Sequence, residues 1–230
     1  MSRSPRTRTA RRRLLAVPAL AAAGLVMAAC ANDEAPAAGG NVTAPAQQTG
    51  GSPIASSIAT GALRGPDGQE RGNVVVQQPA NGSGLEVHVT VNGLPAGFHG
   101  LHVHGIGKCE PNSPDPANPG TTGNFLSSGG HLAGDRPDHP DHAGDLPPLL
   151  VGQDGTARLV TSTDRLTREL LLDGDGAAVV VHERPDNFAN VPTRYASAGA
   201  DDETKKAGDA GSRVACAVLT APGDSSPTTS

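Results

Sequence analysis

Leu85-Glu86-Val87-His88-Val89-Thr90-Val91-Asn92 alternates apolar and polar residues without a break. A strand sends successive side chains to opposite faces, so this pattern puts Leu85, Val87, Val89 and Val91 on one side and Glu86, His88, Thr90 and Asn92 on the other. That is a half-buried strand with His88 on its wet face. Working outward, further short β-branched runs occur at Gly72–Gln77, Ala157–Thr163, Ala177–His182 and Arg213–Thr220, separated by Gly, Pro and Asp. The one helical turn expected lies around Thr163–Leu170. Many short strands with long punctuated loops predict an antiparallel sandwich or barrel. With three Phe, one Tyr and no Trp, its core must be built from Val, Leu, Ile and Ala.

The ends of the chain read differently. Six arginines and no acid precede Leu14, and an apolar or small-residue run then continues to Ala29 before Cys30. This is the layout of a secretory signal over residues 1–29, too short and too alanine-rich for a good spanning helix. Val26-Met27-Ala28-Ala29-Cys30 looks like a bacterial lipobox, in which Cys30 is lipidated and anchors the exported protein to the membrane. The alternative is an ordinary cleaved signal with an incidental cysteine. Arg11-Arg12-Arg13 leaves the export route open. Residues 30–53 are poor in large apolar side chains and are expected to be a flexible tether, 54–220 one domain and 221–230 a tail without structure.

Loss of residues 1–29 leaves 12 basic against 23 acidic residues, a formal net charge of −11, which argues against a nucleic-acid partner. With Cys30 assigned to the anchor, Cys109 and Cys216 remain as an even pair in an exported chain, and a disulfide is expected between them. Closing that 107-residue loop is worth roughly 4 to 5 kcal/mol in the chain-entropy picture.

Two long loops interrupt the strand pattern, Glu110–Leu149 and Glu183–Ser212, and structureless connections of this length are usually functional. Just before the first, Gly97-Phe98-His99-Gly100-Leu101-His102-Val103-His104 places His102 and His104 on one face of an extended strand, about 7 Å apart along the backbone, within reach of a single metal ion. Inside the loop, His131, His139, His142 and Asp145 supply three imidazoles and a carboxylate, a complete tetrahedral set for zinc. His182 ends an apolar strand, with Asp186 four residues on.

Gly-Phe-His-Gly-Leu-His-Val-His, Gly-Gly-His-Leu, His-Ala-Gly-Asp-Leu, Val-Val-His-Glu and Gly-Asp-Ala-Gly-Ser-Arg-Val-Ala-Cys follow one another over about Ile58–Leu219. In that order and spacing they resemble a copper/zinc superoxide dismutase, closest to the exported actinobacterial lipoprotein type. The resemblance implies an all-β, immunoglobulin-like Greek-key barrel of eight strands with two functional loops. It implies that His102, His104, His131 and His182 bind copper and that His131 bridges to zinc, which His139, His142 and Asp145 complete. It makes Arg213 the active-site arginine that attracts superoxide, with His131 the residue that moves a proton. Asp186 becomes the outer carboxylate joining the two metal sites, Cys109–Cys216 the intrasubunit disulfide and His99 a structural histidine. The chain departs from the family where the zinc loop is shortened, with only Pro140 and Asp141 between His139 and His142. The family includes monomers and homodimers. A copper-binding or copper-delivery domain without catalysis is the competing function, and it predicts a missing copper ligand or arginine. Asp201, Asp202, Glu203, Lys205 and Lys206 are candidates for a substrate-steering loop, or for a merely solvated charge cluster.

Overall fold

The computed structural model describes residues 56–80 and 82–224. The expected signal (1–29), Cys30, the expected tether to residue 53 and the part of the expected tail from 225 on lie outside the described residues. Among the described residues there are eleven strands: β1 (Ser56–Arg64), β2 (Glu70–Gln78), β3 (Leu85–Val91), β4 (Gly97–His99), β5 (Leu101–His104), β6 (Ser113–Pro114), β7 (Thr122–Gly123), β8 (Leu149–Val151), β9 (Ala157–Thr163), β10 (Ala178–His182) and β11 (Arg213–Val218). Two single-turn α-helices, α1 (Arg168–Leu171) and α2 (Thr204–Ala207), and a 3-10 turn at Leu126–Ser128 complete the described elements.

Seven strands form one antiparallel sheet in the order β5-β10-β11-β1-β2-β3-β9, and β4 pairs with β8. β4 runs on into β5 across Gly100, while β8 turns into β9 through Gly152 N–H to Thr156 O at 2.8 Å. The β4–β8 ribbon therefore joins the two edges of the large sheet and curls it toward closure. Counting β4 and β5 as one interrupted run, and setting aside the small β6–β7 hairpin inside the first long loop, gives the eight barrel strands expected from the resemblance.

The core follows the period-two pattern. Leu85, Val87, Val89 and Val91 are buried in β3, and Val74 and Val76 in β2 face them together with Val179 and Val181 of β10. Each such side chain contributes roughly 1.5 to 3 kcal/mol of transfer free energy. His88 stays on the outer face beside Glu86. β1, SSIATGALR, has no strong alternation and is invisible to pattern reading. It is a central strand because its small residues allow close approach, and a Cβ on Gly61 would sit 2.5 Å from Val218 O. The helical turn expected at Thr163–Leu170 forms later, at Arg168–Leu171. Thr167 caps it with its side chain accepting from Leu170 N–H, and β9 holds the chain extended through Thr163.

Candidate metal centre

β5 has four buried residues in a row. Leu101 and Val103 enter the core, and His102 and His104 leave the opposite face with ring centroids 6.5 Å apart. β10 lies beside β5 and ends on His182. β11 lies beside β10 and begins on Arg213, the register partner of His182. The outer edge of β5 is covered by the first long loop. Leu132 N–H donates to Val103 O and Val103 N–H donates to Gly144 O, both at 2.8 Å, which sets His131 against His104 and Asp145 against His102. Residues distant in sequence are thus delivered to one place by strand pairing.

The ligand atoms of His102, His104, His131 and His182 all lie within 4.8 Å of one another. The second nitrogen of each ring is occupied. His104 Nδ1–H donates to Gly129 O at 2.9 Å and His182 Nδ1–H donates to Gly211 O at 3.1 Å, so both rings carry unprotonated Nε2 atoms, which face each other at 3.4 Å. Burial drives His104 and His182 well below the usual histidine range, helped by the neighbouring imidazoles and Arg213. His131 falls to about 4 through burial, with Asp145 opposing. Neutral imidazoles are what a metal needs.

The second cluster surrounds Asp145. Its Oδ1 lies 2.7 Å from His131 Nδ1, and its Oδ2 lies 2.9 Å from His139 Nδ1 and 3.1 Å from His142 Nδ1. His139 Nε2–H donates to Asp186 Oδ1 at 2.8 Å and His142 Nε2–H donates to Pro137 O at 3.1 Å. His102, His131, His139 and Asp145 present ligand atoms within 4.8 Å of one another; His142 stands outside that tighter group, joined to it through Asp145. Asp186 spans the two clusters, its other oxygen 2.8 Å from His102 Nε2. Burial opposes charge on His139, but Asp145 and Asp186 on either side outweigh it and raise its pKa to about 9. Burial also opposes ionisation of Asp145 and Asp186, yet the histidines hydrogen-bonded to them hold both well below the usual carboxylate range.

Within the two clusters, four buried ring nitrogens have no hydrogen-bond partner: His102 Nδ1, His131 Nε2, His139 Nδ1 and His142 Nδ1. The 2.9 Å approach of His139 to Asp145 is close but not aligned for a hydrogen bond. Orphaned buried nitrogens are costly, and they point inward, two into each cluster. Four imidazoles in one cluster suit copper, and imidazoles with a carboxylate in the other suit zinc. The residues present fit both metals.

Arg213 is fixed by three acceptors. Nη1–H donates to Phe125 O at 2.7 Å and to Ser128 Oγ at 2.9 Å, and Nη2–H donates to Gly129 O at 2.7 Å. Burial lowers its pKa to about 10, with Asp115 opposing, and it stays cationic at neutral pH. The Cys109–Cys216 disulfide ties β11, three residues beyond Arg213, to the exit of β5. A cavity of about 880 Å³ opens onto Arg213, His104, His131 and His182, with Asp115, Glu203 and Lys206 on its wall. Of the charge cluster singled out from sequence, only Glu203 and Lys206 face this cavity, and they pair with each other at 2.9 Å. Lys205 acts through its backbone, its carbonyl accepting from His139 N–H, and Asp201 Oδ1 accepts from Thr204 N–H. His99 is buried between Pro95 O and His182 O, outside both clusters.

Asp115 and Gly208 escaped the sequence reading. Asp115 sits in the irregular loop after β5, where only the fold relates it to Arg213. Gly208 has φ +58, a left-handed conformation that glycine adopts freely, and a Cβ there would overlap Asp186 Oδ1 and sit 2.6 Å from His139 Nε2. The Gly-Asp-Ala-Gly motif was the only signal for it. Gly208→Ala is expected to cost about 2 to 4 kcal/mol. In a domain of this size that lowers Tm by roughly 5 to 10 °C in a thermal melt.

The family model for copper/zinc superoxide dismutase matches residues 70–219. The chain is 41% identical over 173 residues to a superoxide dismutase [Cu-Zn] of Mycolicibacterium paratuberculosis, covering 73% of this chain and 76% of that protein. It is 45% identical over 175 residues to one of Mycobacterium bovis, covering 73% and 72%. Among solved structures, the Cu/Zn superoxide dismutase of Brucella abortus superposes with a TM-score of 0.54 at 28% identity, covering 71% of this chain and 99% of that one. With the two histidine clusters, the arginine beside them and the disulfide on one curled antiparallel sheet, these matches make the chain a member of the copper/zinc superoxide dismutase family.

Proposed function

We propose that the protein dismutates superoxide, converting two superoxide anions and two protons into dioxygen and hydrogen peroxide. The observation that carries this reading is the convergence of four imidazoles beside a fixed, buried arginine at the end of an open cavity. A copper-binding domain without catalysis would not require Arg213 to be held by three acceptors in register with His182.

His102, His104, His131 and His182 would hold copper, and His131, His139, His142 and Asp145 would hold zinc. Copper supplies one-electron redox chemistry there, while zinc supplies charge and geometry without redox. Arg213 draws the anion along the cavity and orients it by its forked N–H groups. His131 has one nitrogen directed to each cluster and lines the cavity, so its Nε2 takes up a proton as dioxygen leaves and returns one to the developing peroxide. Asp186 keeps His102 and His139 in register with each other.

Superoxide dismutase is itself an established case of electrostatically steered catalysis near the diffusion limit. In a chain whose acids outnumber its bases, Arg213 must supply the attraction locally. Arg213→Ala is expected to lower kcat/KM about tenfold at low ionic strength and less as salt is added, and Arg213→Lys to fall between. Superoxide decay followed by stopped flow across salt concentrations tests this. An unchanged rate, or a loss independent of salt, would remove Arg213 from the capture step.

The enzyme works outside the cytoplasm, exported by its arginine-rich leader and held to the membrane by a lipid on Cys30. The leader pattern supports this, as does a disulfide suited to an oxidising compartment. For a homodimer, the exposed cross-strand pair Phe98 and Leu150 is an apolar surface that favours association.

A further inference from the structure

We propose that zinc enters and leaves through a second cavity, separate from the substrate channel, and that Arg165 is the latch that closes it. The proposal rests on zinc occupying the cluster of His131, His139, His142 and Asp145.

Two cavities approach the metal centre. The channel to Arg213 is lined by His104, His131 and His182 but not by Asp145. The second, about 460 Å³, is lined by Asp145 and by none of the histidines. Its walls come from the zinc loop at Pro140 and Asp141, from the end of β9 and the following turn at Asp164 and Arg165, and from Phe188. The Phe188 ring lies parallel to that of His139, 9° between planes and 6.4 Å between centroids. One wall of the cavity is therefore the back of the zinc cluster.

Charge favours this route for a cation. The substrate channel ends on the Arg213 guanidinium, which attracts anions and repels a divalent cation. The second cavity presents Asp141, Asp145 and Asp164 against the single positive charge of Arg165. Acidic walls raise the local concentration of a cation as basic walls do for an anion.

Arg165 grips the shortened part of the zinc loop. Nη1–H donates to Pro140 O at 3.1 Å and Nη2–H donates to Asp141 Oδ1 at 3.2 Å. Pro140 and Asp141 are the only residues between His139 and His142. Both zinc histidines are thus tethered through one side chain rooted outside the loop, where Arg165 N–H donates to Thr163 Oγ1 at 3.1 Å. The guanidinium is about one-third exposed and Asp141 more so, which makes the contact weak enough to open. Arg165 is a positioning residue: it touches neither metal ligand, and it holds the segment between two of them.

The test uses the fully metallated enzyme and follows zinc release to a chelating indicator dye, with copper release measured in parallel. Arg165→Ala is expected to speed zinc release roughly fivefold, at the upper end for a part-exposed ion pair. Arg165→Lys, which keeps charge but loses the fork, should fall between. Copper release and the melting temperature of the metal-free protein should not change, which separates a latch from general loosening. Lys206→Glu, which alters the substrate channel, should leave zinc release as in wild type. Normal zinc loading with equal release from Arg165→Ala and wild type would overturn the latch, as would zinc release that responds to Lys206→Glu instead. A wild-type protein that loads copper alone would overturn the zinc assignment, and the latch with it.

Discussion

Replacing His104 with alanine removes at least about a thousandfold of superoxide dismutation in protein supplied with copper, more than the ten- to hundredfold usual for residues that only support a metal ligand. Among the candidate copper ligands, His104 is held from three directions. Its backbone lies in β5 beside β10, its Nδ1–H is committed to Gly129 O, and its Nε2 meets His182 Nε2 at the centre of the cluster. Alanine leaves a gap open to the substrate channel, and no neighbouring side chain can replace the missing nitrogen. Truncating a buried side chain also costs about 2 to 4 kcal/mol of stability, so circular dichroism and a thermal melt must accompany the rate measurement. His88→Ala is the matched control, because His88 lies on the outer face of β3 and reaches neither cluster. More than a tenth of wild-type activity remaining in a folded, copper-supplied His104→Ala protein would refute the catalytic reading.

Withdrawing both metals is expected to lower Tm by about 20 °C or more. Four buried nitrogens of the two clusters become orphans when nothing coordinates them, at roughly 1 to 3 kcal/mol each. Binding to buried imidazole and carboxylate sets is worth on the order of 10 kcal/mol, and each kcal/mol moves Tm by about 2 to 4 °C in a domain of this size. The effect has a pH signature. In the metal-free protein His139 titrates at about 9, above its unfolded value near 6.5. Its charge therefore adds stability that is full below 6.5 and is lost as pH rises through 9, so the gap between metal-loaded and metal-free melts widens over that interval. Loading zinc near pH 7 must expel that proton. His131, His104 and His182 are already neutral there, and their depressed pKa values destabilise the fold only as pH falls below 6.5. Calorimetric titration in buffers of different ionisation enthalpy should give close to one proton released per zinc. Melts that coincide within a few degrees, or zinc uptake without proton release, would show that these nitrogens do not meet at a metal.

Sequence made the candidate ligands legible and left their supports obscure, for a physical reason. Ligands must be histidine or aspartate, so His102, His104, His131, His182 and Asp145 stand out by residue type, and two of them by the period of a strand. Their supports act through backbone carbonyls and backbone shape, which any residue type can provide. Gly129 O, Gly211 O and Pro137 O each fix a histidine tautomer without any mark in the sequence. Strands with clear alternation, such as Leu85–Val91 and Ala157–Thr163, fall where the pattern puts them. β1 does not show itself because its close packing relies on Ala and Gly rather than on β-branched residues. The run from Gly97 to His104 reads as one strand but breaks at Gly100, where β4 leaves for β8 and β5 stays with β10. Arg165 belongs to the same obscure class: a charged residue after a strand is ordinary, and only the fold sets it against the residues between two zinc histidines.

β5 is the last strand of the seven-stranded sheet, and its free edge is closed by the loop carrying His131 and Asp145. That loop has little regular structure of its own, and metals bound to its histidines and Asp145 would clip it in place. An uncovered strand edge is a row of unpaired N–H and C=O groups ready to template another chain. Loss of zinc therefore does more than retune the copper ligands. It would uncap β5 and leave the fold able to join edge to edge with its neighbours, so that the ion proposed to serve catalysis would also guard against aggregation.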